Sequence, residues 1–426
     1  MMERQPKMEN PSSCSPEQNR EMVCWVKDIL AGNTSFLEQL NHGDWARFAA
    51  FARKHGIAPV LYLALKDIPD SSPCRKYLGE LRNIYRAEAQ NNLFLYHELG
   101  KILKALHTAG LSVIVLKGAC LAEAVYGNIA LRPMSDVDFL VKKRDLNHTV
   151  LVLKSCGYEA DYDFHVDKEV AADLHHHLPP LKGPTGLQLE IHWTIFNYDF
   201  FEACDEAERE VVNIWQRAHP LILEDMPCLM LAPEDLFLHL CIHISRQHVF
   251  DVRLRHLLDL RKVCECYGNT LDWEVIYQRA CHWRADRAVT LTVLLAERLI
   301  GMAVPERVKR TWKTELPDPG VLQWVEEKTL AESTHLTLPR FVARKSLKDK
   351  CGSLWKQLFP PPSVLARWYS SGLNPTGMKI YFFYPKYWYH IGKKGWRIVW
   401  SIFGNRSTVL PSLQKEEALL HWLAQT

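Results

Sequence analysis

The chain changes period at Gly110, and that change limits what it can fold into. Up to that point apolar residues recur at the three-to-four spacing of helices, as in WARFAAFARKHGIAPVLYLALK and YRAEAQNNLFLYHELGKILKALHTAG, the latter closing on Gly110. SVIVL (112 to 116) then reads as a short buried strand, ACLAEAVYG as a short helix ending at Gly127, and NIALRP as a loop. DVDFLV reads as a second strand and RDLNHTVLVLKSCG as a helix with its own glycine stop. Strand, helix, strand, helix within about fifty residues implies an α/β unit with a mostly covered sheet, so the chain is not wholly helical.

Further on, LQLEIHWTI (187 to 195) alternates with period two and reads as another strand. From Pro233 amphipathic helices return in PEDLFLHLCIHISRQH, VRLRHLLDLRKVCECYG, WEVIYQRACHW and VTLTVLLAERLIG. At 426 residues two or three packed units are expected. The expected class is α+β, a small mixed sheet flanked by helical regions. The expected division is a disordered tail (1–20), an N-terminal helical region (21–110), an α/β core (111–230), a helical domain (231–340) and an aromatic, basic C-terminal extension (341–426).

Composition excludes several classes. The 52 basic residues nearly cancel the 49 acidic ones, and a net charge of +3 does not point to a general polyanion partner, so no specific nucleic acid is expected. The 12 cysteines form no CxxC and no dense framework, which suits a reducing compartment and a cytoplasmic protein. The first twenty residues lack the apolar core of a signal peptide, and no window reaches the roughly 18 apolar residues of a spanning helix.

Chemistry concentrates in DVD. In a strand, residues i and i+2 leave the same face about 6.5 to 7 Å apart, so Val137 faces the core while Asp136 and Asp138 point together. Two carboxylates at that range oppose each other's ionisation unless a cation neutralises them. A hard divalent ion such as Mg²⁺ suits, being held through one or two carboxylates plus substrate phosphates. Glu190, mid-strand in LQLEIHW, is a third carboxylate, either a shared metal ligand, a base toward an attacking hydroxyl, or a solvated residue on an edge strand. Lys117 and Gly118 close one strand and open a helix, where a glycine admits a phosphate to free N–H groups and a lysine adds charge; no Walker motif is present. Arg132 reads either as a bidentate phosphate ligand or, like Lys117, as a salt-bridge partner of the acids.

VLKGACLAEAVYGNIALRPMSDVDFLV, GLQLEIHW, and LAPEDLFLHLCIHISRQH with RLRHLLDL resemble the uncharacterised nucleotidyltransferase family of the DNA-polymerase-beta-like superfamily, over roughly residues 90 to 300. The resemblance implies an enzyme with a nucleotidyltransferase core, in which Asp136, Asp138 and Glu190 hold Mg²⁺ (or Mn²⁺) and serve catalysis. The nucleotide-binding set is then Lys117, Gly118, Arg132, Ser135 and His192. The superfamily's usual Gly-Ser or Gly-Gly pair is replaced here by Lys117, Gly118 and Ala119, so Lys117 would stand in for the lost hydroxyl. The implied reaction transfers an NMP from an NTP such as ATP to a hydroxyl or phosphate of a small, sugar, lipid-linked or peptide acceptor. The competing reading is a non-catalytic NTP-binding scaffold that retains the fold.

Other residues read more plainly. His175, His176 and His177 precede Pro179, and without cysteine partners a zinc site is disfavoured; His177 or His192 is expected to hydrogen-bond near the acids. His239 and His243 share a helix face with a structural or hydrogen-bonding role, and Arg255 and Asp259, four apart, predict a helix-face ion pair. In residues 377–405, ten aromatic residues interleave with Lys379, Lys386, Lys393, Lys394 and Arg397. These rings either cover the helical domain or touch the inner membrane face peripherally.

Overall fold

The computed structural model describes residues 15–69, 72–160, 177–196, 204–312, 315–331 and 406–424, with a few isolated positions between 359 and 388. Helix α1 (Pro16–Leu30) starts inside the expected tail, so the tail reading fails for residues 16–20. Ser15 accepts from the Gln18 N–H while Gln18 reaches back to the Ser15 backbone, and Pro16 presets the first turn. Helices α2 (His42–Lys54), α3 (Ala58–Leu65) and the 31-residue α4 (Leu78–Thr108) complete the leading section, and α4 stops at left-handed Gly110.

Seven strands form one mixed sheet, in the order β3-β4-β5-β2-β1-β7-β6. They are β1 (Ile114–Leu116), β2 (Asp136–Leu140), β3 (Glu159–Ala160), β4 (Leu181–Lys182), β5 (Gln188–His192), β6 (His219–Leu223) and β7 (Met226–Met230). β2 runs antiparallel to β1 and parallel to β5, while β1 pairs parallel with β7. Helix α5 (Lys117–Ala124) joins β1 to β2, a 3₁₀ turn (Ile129–Leu131) interrupts the expected loop, and α6 (Leu146–Ser155) follows β2. The sheet's centre is apolar: Ile114, Val115, Val137, Phe139, Leu189 and Ile191 are fully buried.

Beyond α7 (Cys204–Arg217) and the β6–β7 hairpin lie α8 (Pro233–Ile242), α9 (Leu254–Tyr267), α10 (Trp273–His282), α11 (Asp286–Ile300), α12 (Glu306–Thr311) and α13 (Pro319–Leu330). Fully buried Asp235 ties three of these helices, accepting from Arg217 (2.8 and 3.1 Å) and Arg279 (2.8 Å). The leading helices fold back onto this block: Arg261 of α9 donates to the Leu30 and Ile300 carbonyls at 2.8 and 2.7 Å. The 377–405 reading falls almost wholly outside the described residues, as do His175 and His176. No helix among the described residues is long and apolar enough to cross a membrane.

Candidate active site

The site is built where β1 ends beside the middle of β2 and β5. Leu116, the last residue of β1, pairs with Asp138 of β2, and Asp138 pairs in register with Glu190 of the parallel strand β5. Asp136 and Asp138 share the face opposite fully buried Val137. Glu190 and His192, two residues apart on β5, present their side chains beside that pair.

Lys117 arrives by an abrupt turn. It is the first residue of α5, directly after β1, and its φ of +46° is one that non-glycine residues rarely adopt, at a cost of about 1 kcal/mol. With no linker between strand and helix, its side chain is held over the strand end, and Nζ donates to Asp138 Oδ1 at 2.8 Å. His192 Nε2 lies 3.0 Å from the same oxygen and 3.6 Å from Glu190 Oε2. Its ring stands 5.1 Å from that of His177, whose Nδ1 donates to the Leu178 carbonyl at 2.7 Å.

The two aspartates are driven apart in acidity. Burial pushes Asp138 up, but the Lys117 ammonium and the His192 hydrogen bond outweigh it and hold the carboxyl well below the usual range. Asp136 is raised instead, by burial and then by the charges of Asp138 and Glu190, with Lys117 and Arg132 only partly opposing. One carboxylate is thus fixed in the charged form while its neighbour is the more basic.

Ligand-type atoms of Asp138, Glu190 and His192 all lie within 4.8 Å of one another, and Asp136 is outside that group. The trio expected to hold a metal was Asp136, Asp138 and Glu190, so His192 takes the third close position. The signal was legible, since Glu-x-His on a strand puts both side chains on one face.

A sequence profile for uncharacterised nucleotidyltransferases matches residues 41–301. The chain belongs to the uncharacterised nucleotidyltransferase family. No curated protein and no solved structure matches it. As a nucleotidyltransferase it transfers phosphorus-containing groups, and its α+β architecture agrees with that fold. The family region begins some fifty residues before the stretch that carries the resemblance in sequence, so α2, α3 and all of α4 belong to the nucleotidyltransferase unit.

Within this nucleotidyltransferase Arg132, not Arg255, is the partner of Asp259. Arg132 is buried and bound to fully buried Asp259, with Nε 3.1 Å from Oδ1 and Nη2 2.8 Å from Oδ2. Tyr126 donates its hydroxyl to the same carboxylate at 2.8 Å. The fork that would grip a phosphate is committed to Asp259, and Arg132 pairs with neither site aspartate. The predicted Arg255–Asp259 ion pair is not made, because Arg132 occupies the carboxylate and Arg255 donates to the Pro133 carbonyl at 3.2 Å.

Gly118, expected in a phosphate-binding turn, stands close to the segment that carries Arg132. A side chain there would meet Met134 at 3.2 Å and Arg132 Nη1 at 3.4 Å, so the missing β-carbon makes room for the 132–134 segment. Ser135 is exposed beside Asp136, and its side chain makes no hydrogen bond among the described residues. Behind the site, the buried His239 imidazole is pushed down to about 3 by burial and then by Lys117, and stays neutral. The His239 and His243 rings are 6.3 Å apart, and His243 Nδ1 is 2.7 Å from Gln247 Oε1.

Proposed function

We propose that this chain is a divalent-metal-dependent nucleotidyltransferase that moves an NMP from an NTP, ATP among the candidates, to an acceptor and releases pyrophosphate. The acceptor is a hydroxyl or phosphate of a small, sugar, lipid-linked or peptide molecule. The observation that carries this reading is the in-register opposition of Asp138 and Glu190, with His192 and Lys117 converging on Asp138 Oδ1.

The donor set fits a metal: two carboxylates and an imidazole with ligand atoms within 4.8 Å. Carboxylates suit Mg²⁺ and Mn²⁺, and of the two the imidazole favours Mn²⁺. Asp138, Glu190 and His192 would hold the ion, with Asp136 beside them. When bound, it supplies charge neutralisation at the triphosphate and acidifies an attacking hydroxyl.

The chain's own groups do the rest. Lys117 neutralises Asp138 and is placed to move its ammonium to a phosphate oxygen, and the first turn of α5, which no side chain caps, offers backbone N–H groups. As the acceptor oxygen attacks the α-phosphorus, the bond to the bridging oxygen breaks and pyrophosphate leaves. Asp136, the more exposed and more basic of the aspartates, takes the acceptor's proton.

The test is calorimetric titration with ATP, CTP, GTP and UTP, with and without Mg²⁺ or Mn²⁺. Binding that needs the metal and disappears when Asp136→Ala and Asp138→Ala are combined supports the reading, as does a labelled product formed from labelled NTP and cell extract. Metal-independent binding that survives both changes favours a non-catalytic NTP-binding scaffold. We place the protein in the cytoplasm with no specific nucleic-acid partner, and residues 377–405 as its route to any lipid-linked acceptor at the membrane's inner face.

A further inference from the structure

Arg132 and Arg255 meet on a single oxygen. Arg132 Nη1 donates to the Pro133 carbonyl at 2.8 Å and Arg255 Nη1 to the same atom at 3.2 Å. Two guanidinium groups are thus brought together, yet only Arg132 has a carboxylate in contact, Asp259. Arg255 forms no ion pair among the described residues, and its buried Nε has no hydrogen-bond partner. Arg255 is left as a cation with no carboxylate in contact among the described residues, in a place where burial makes each charge count.

That charge borders the acids. A side chain on Gly118, at the start of α5, would lie 3.4 Å from Arg132 Nη1, which puts Arg132 against the strand-to-helix turn that follows Lys117. On the other side, Asp136 acts electrostatically on both arginines. The backbone that carries both arginines is held in place. Asn92 donates to the Arg132 carbonyl at 3.0 Å, Asn91 donates to that of Met134 at 3.1 Å, and the Arg255 N–H is held by the His55 carbonyl at 3.1 Å. Gly56 is what lets the Arg255 stem pass: a β-carbon there would come within 2.9 Å of its Cδ.

We propose that Arg255, not Arg132, is the arginine that binds the polyphosphate of the nucleotide, gripping its β or γ phosphate. This rests on the nucleotidyltransferase reading above. The Arg132–Asp259–Tyr126 group is the platform that places Arg255. The Nη2 of Arg255 makes no hydrogen bond among the described residues and is the donor left for a phosphate oxygen, and a triphosphate supplies the missing countercharge. Burial, followed by the Arg132 charge, lowers Arg255 to about 10, which leaves it cationic at neutral pH. Glu88, the other carboxyl acting on Arg255, is raised by burial and is not in ion-pair contact.

Inorganic tripolyphosphate with Mn²⁺ is the probe, because it carries the proposed contact without any choice of base. Tripolyphosphate affinity should fall about tenfold to a hundredfold in Arg255→Gln and less in Arg255→Lys, which keeps the charge and the stem against Gly56. It should be unchanged in Arg253→Gln, an exposed neighbour. Mn²⁺ binding alone, followed by electron paramagnetic resonance, should remain at the wild-type level in all three. Wild-type affinity for tripolyphosphate in both Arg255 variants would overturn the assignment of Arg255 while leaving the nucleotidyltransferase reading intact. Parallel loss of Mn²⁺ binding would also overturn it, showing a structural role. A wild-type protein that binds neither tripolyphosphate nor any NTP would remove both.

Discussion

Glu190 stands directly opposite Asp138 across two parallel strands, and His192 follows it on the same face. A slip of one residue would turn Glu190 and His192 into the core and expose Leu189 and Ile191, both fully buried, so the apolar pattern itself holds the register. If these residues share a cation, Glu190→Gln and His192→Gln should each weaken Mn²⁺ binding at least about tenfold in a resonance titration. Equal affinity in wild type and both variants would remove the metal assignment.

Asp259 is a second test of the site's foundations. It is fully buried and answers Arg132, so Asp259→Ala leaves a buried guanidinium without its counterion and should cost about 3 to 5 kcal/mol in denaturant unfolding. Tyr126→Phe removes one hydrogen bond to the same carboxylate and should cost about 1.5 to 3 kcal/mol. The two losses should not add, since both act on one carboxylate.

Stability should decline as the solution becomes mildly acidic. His55 and His239 are both pushed down from 6.5 to about 3, chiefly by burial. The His55 Nδ1 accepts the Leu254 N–H at 3.4 Å at the start of α9, which requires a neutral ring. The unfolded chain binds these protons below about pH 6.5 and the folded chain does not, so their contribution is intact above that value and is lost as pH falls toward 3. Each histidine should remove about 1.4 kcal/mol per pH unit in that window. Denaturant midpoints that stay flat between pH 6.5 and 5 would contradict this.

The β6–β7 turn offers a stabilising change. Glu224 and Asp225 connect the strands with φ of +49° and +59°, the left-handed pair that Asn-Gly adopts more easily. Asp225→Gly should raise stability by about 0.5 to 1 kcal/mol, seen as a higher melting temperature.

That hairpin also shows why parts of the fold were hard to read. HPLIL and MPCLM each carry a proline, which argues against a strand, and Glu-Asp is not the usual hairpin turn; yet Pro220 and Pro227 are accommodated in the ladder at the sheet's end. β3 and β4 are two residues each, too short for any alternation to show. The acidic face was legible because period two places Asp136 with Asp138 and Glu190 with His192. The Arg132–Asp259 pair was not, since the two residues lie 127 positions apart and only the tertiary fold joins them. Local spacing favoured Arg255 as the partner of Asp259, and burial decided otherwise. The start of α1 was there to be read in Ser15 and Gln18, but low apolar content made the segment look like a tail.

The packing of α1 bears on how the protein can be handled. Met22, Val26 and Ile29 have almost no exposure, and α1 as a whole packs on α11, α3 and α13, although the family region opens only at residue 41. A shortened chain beginning there would bare the greasy strip these three side chains now cover, and would lose the carbonyl of Leu30 that Arg261 grips. Expression boundaries drawn from the family limits alone therefore invite clumping, and the sensible N-terminal cut lies ahead of Ser15.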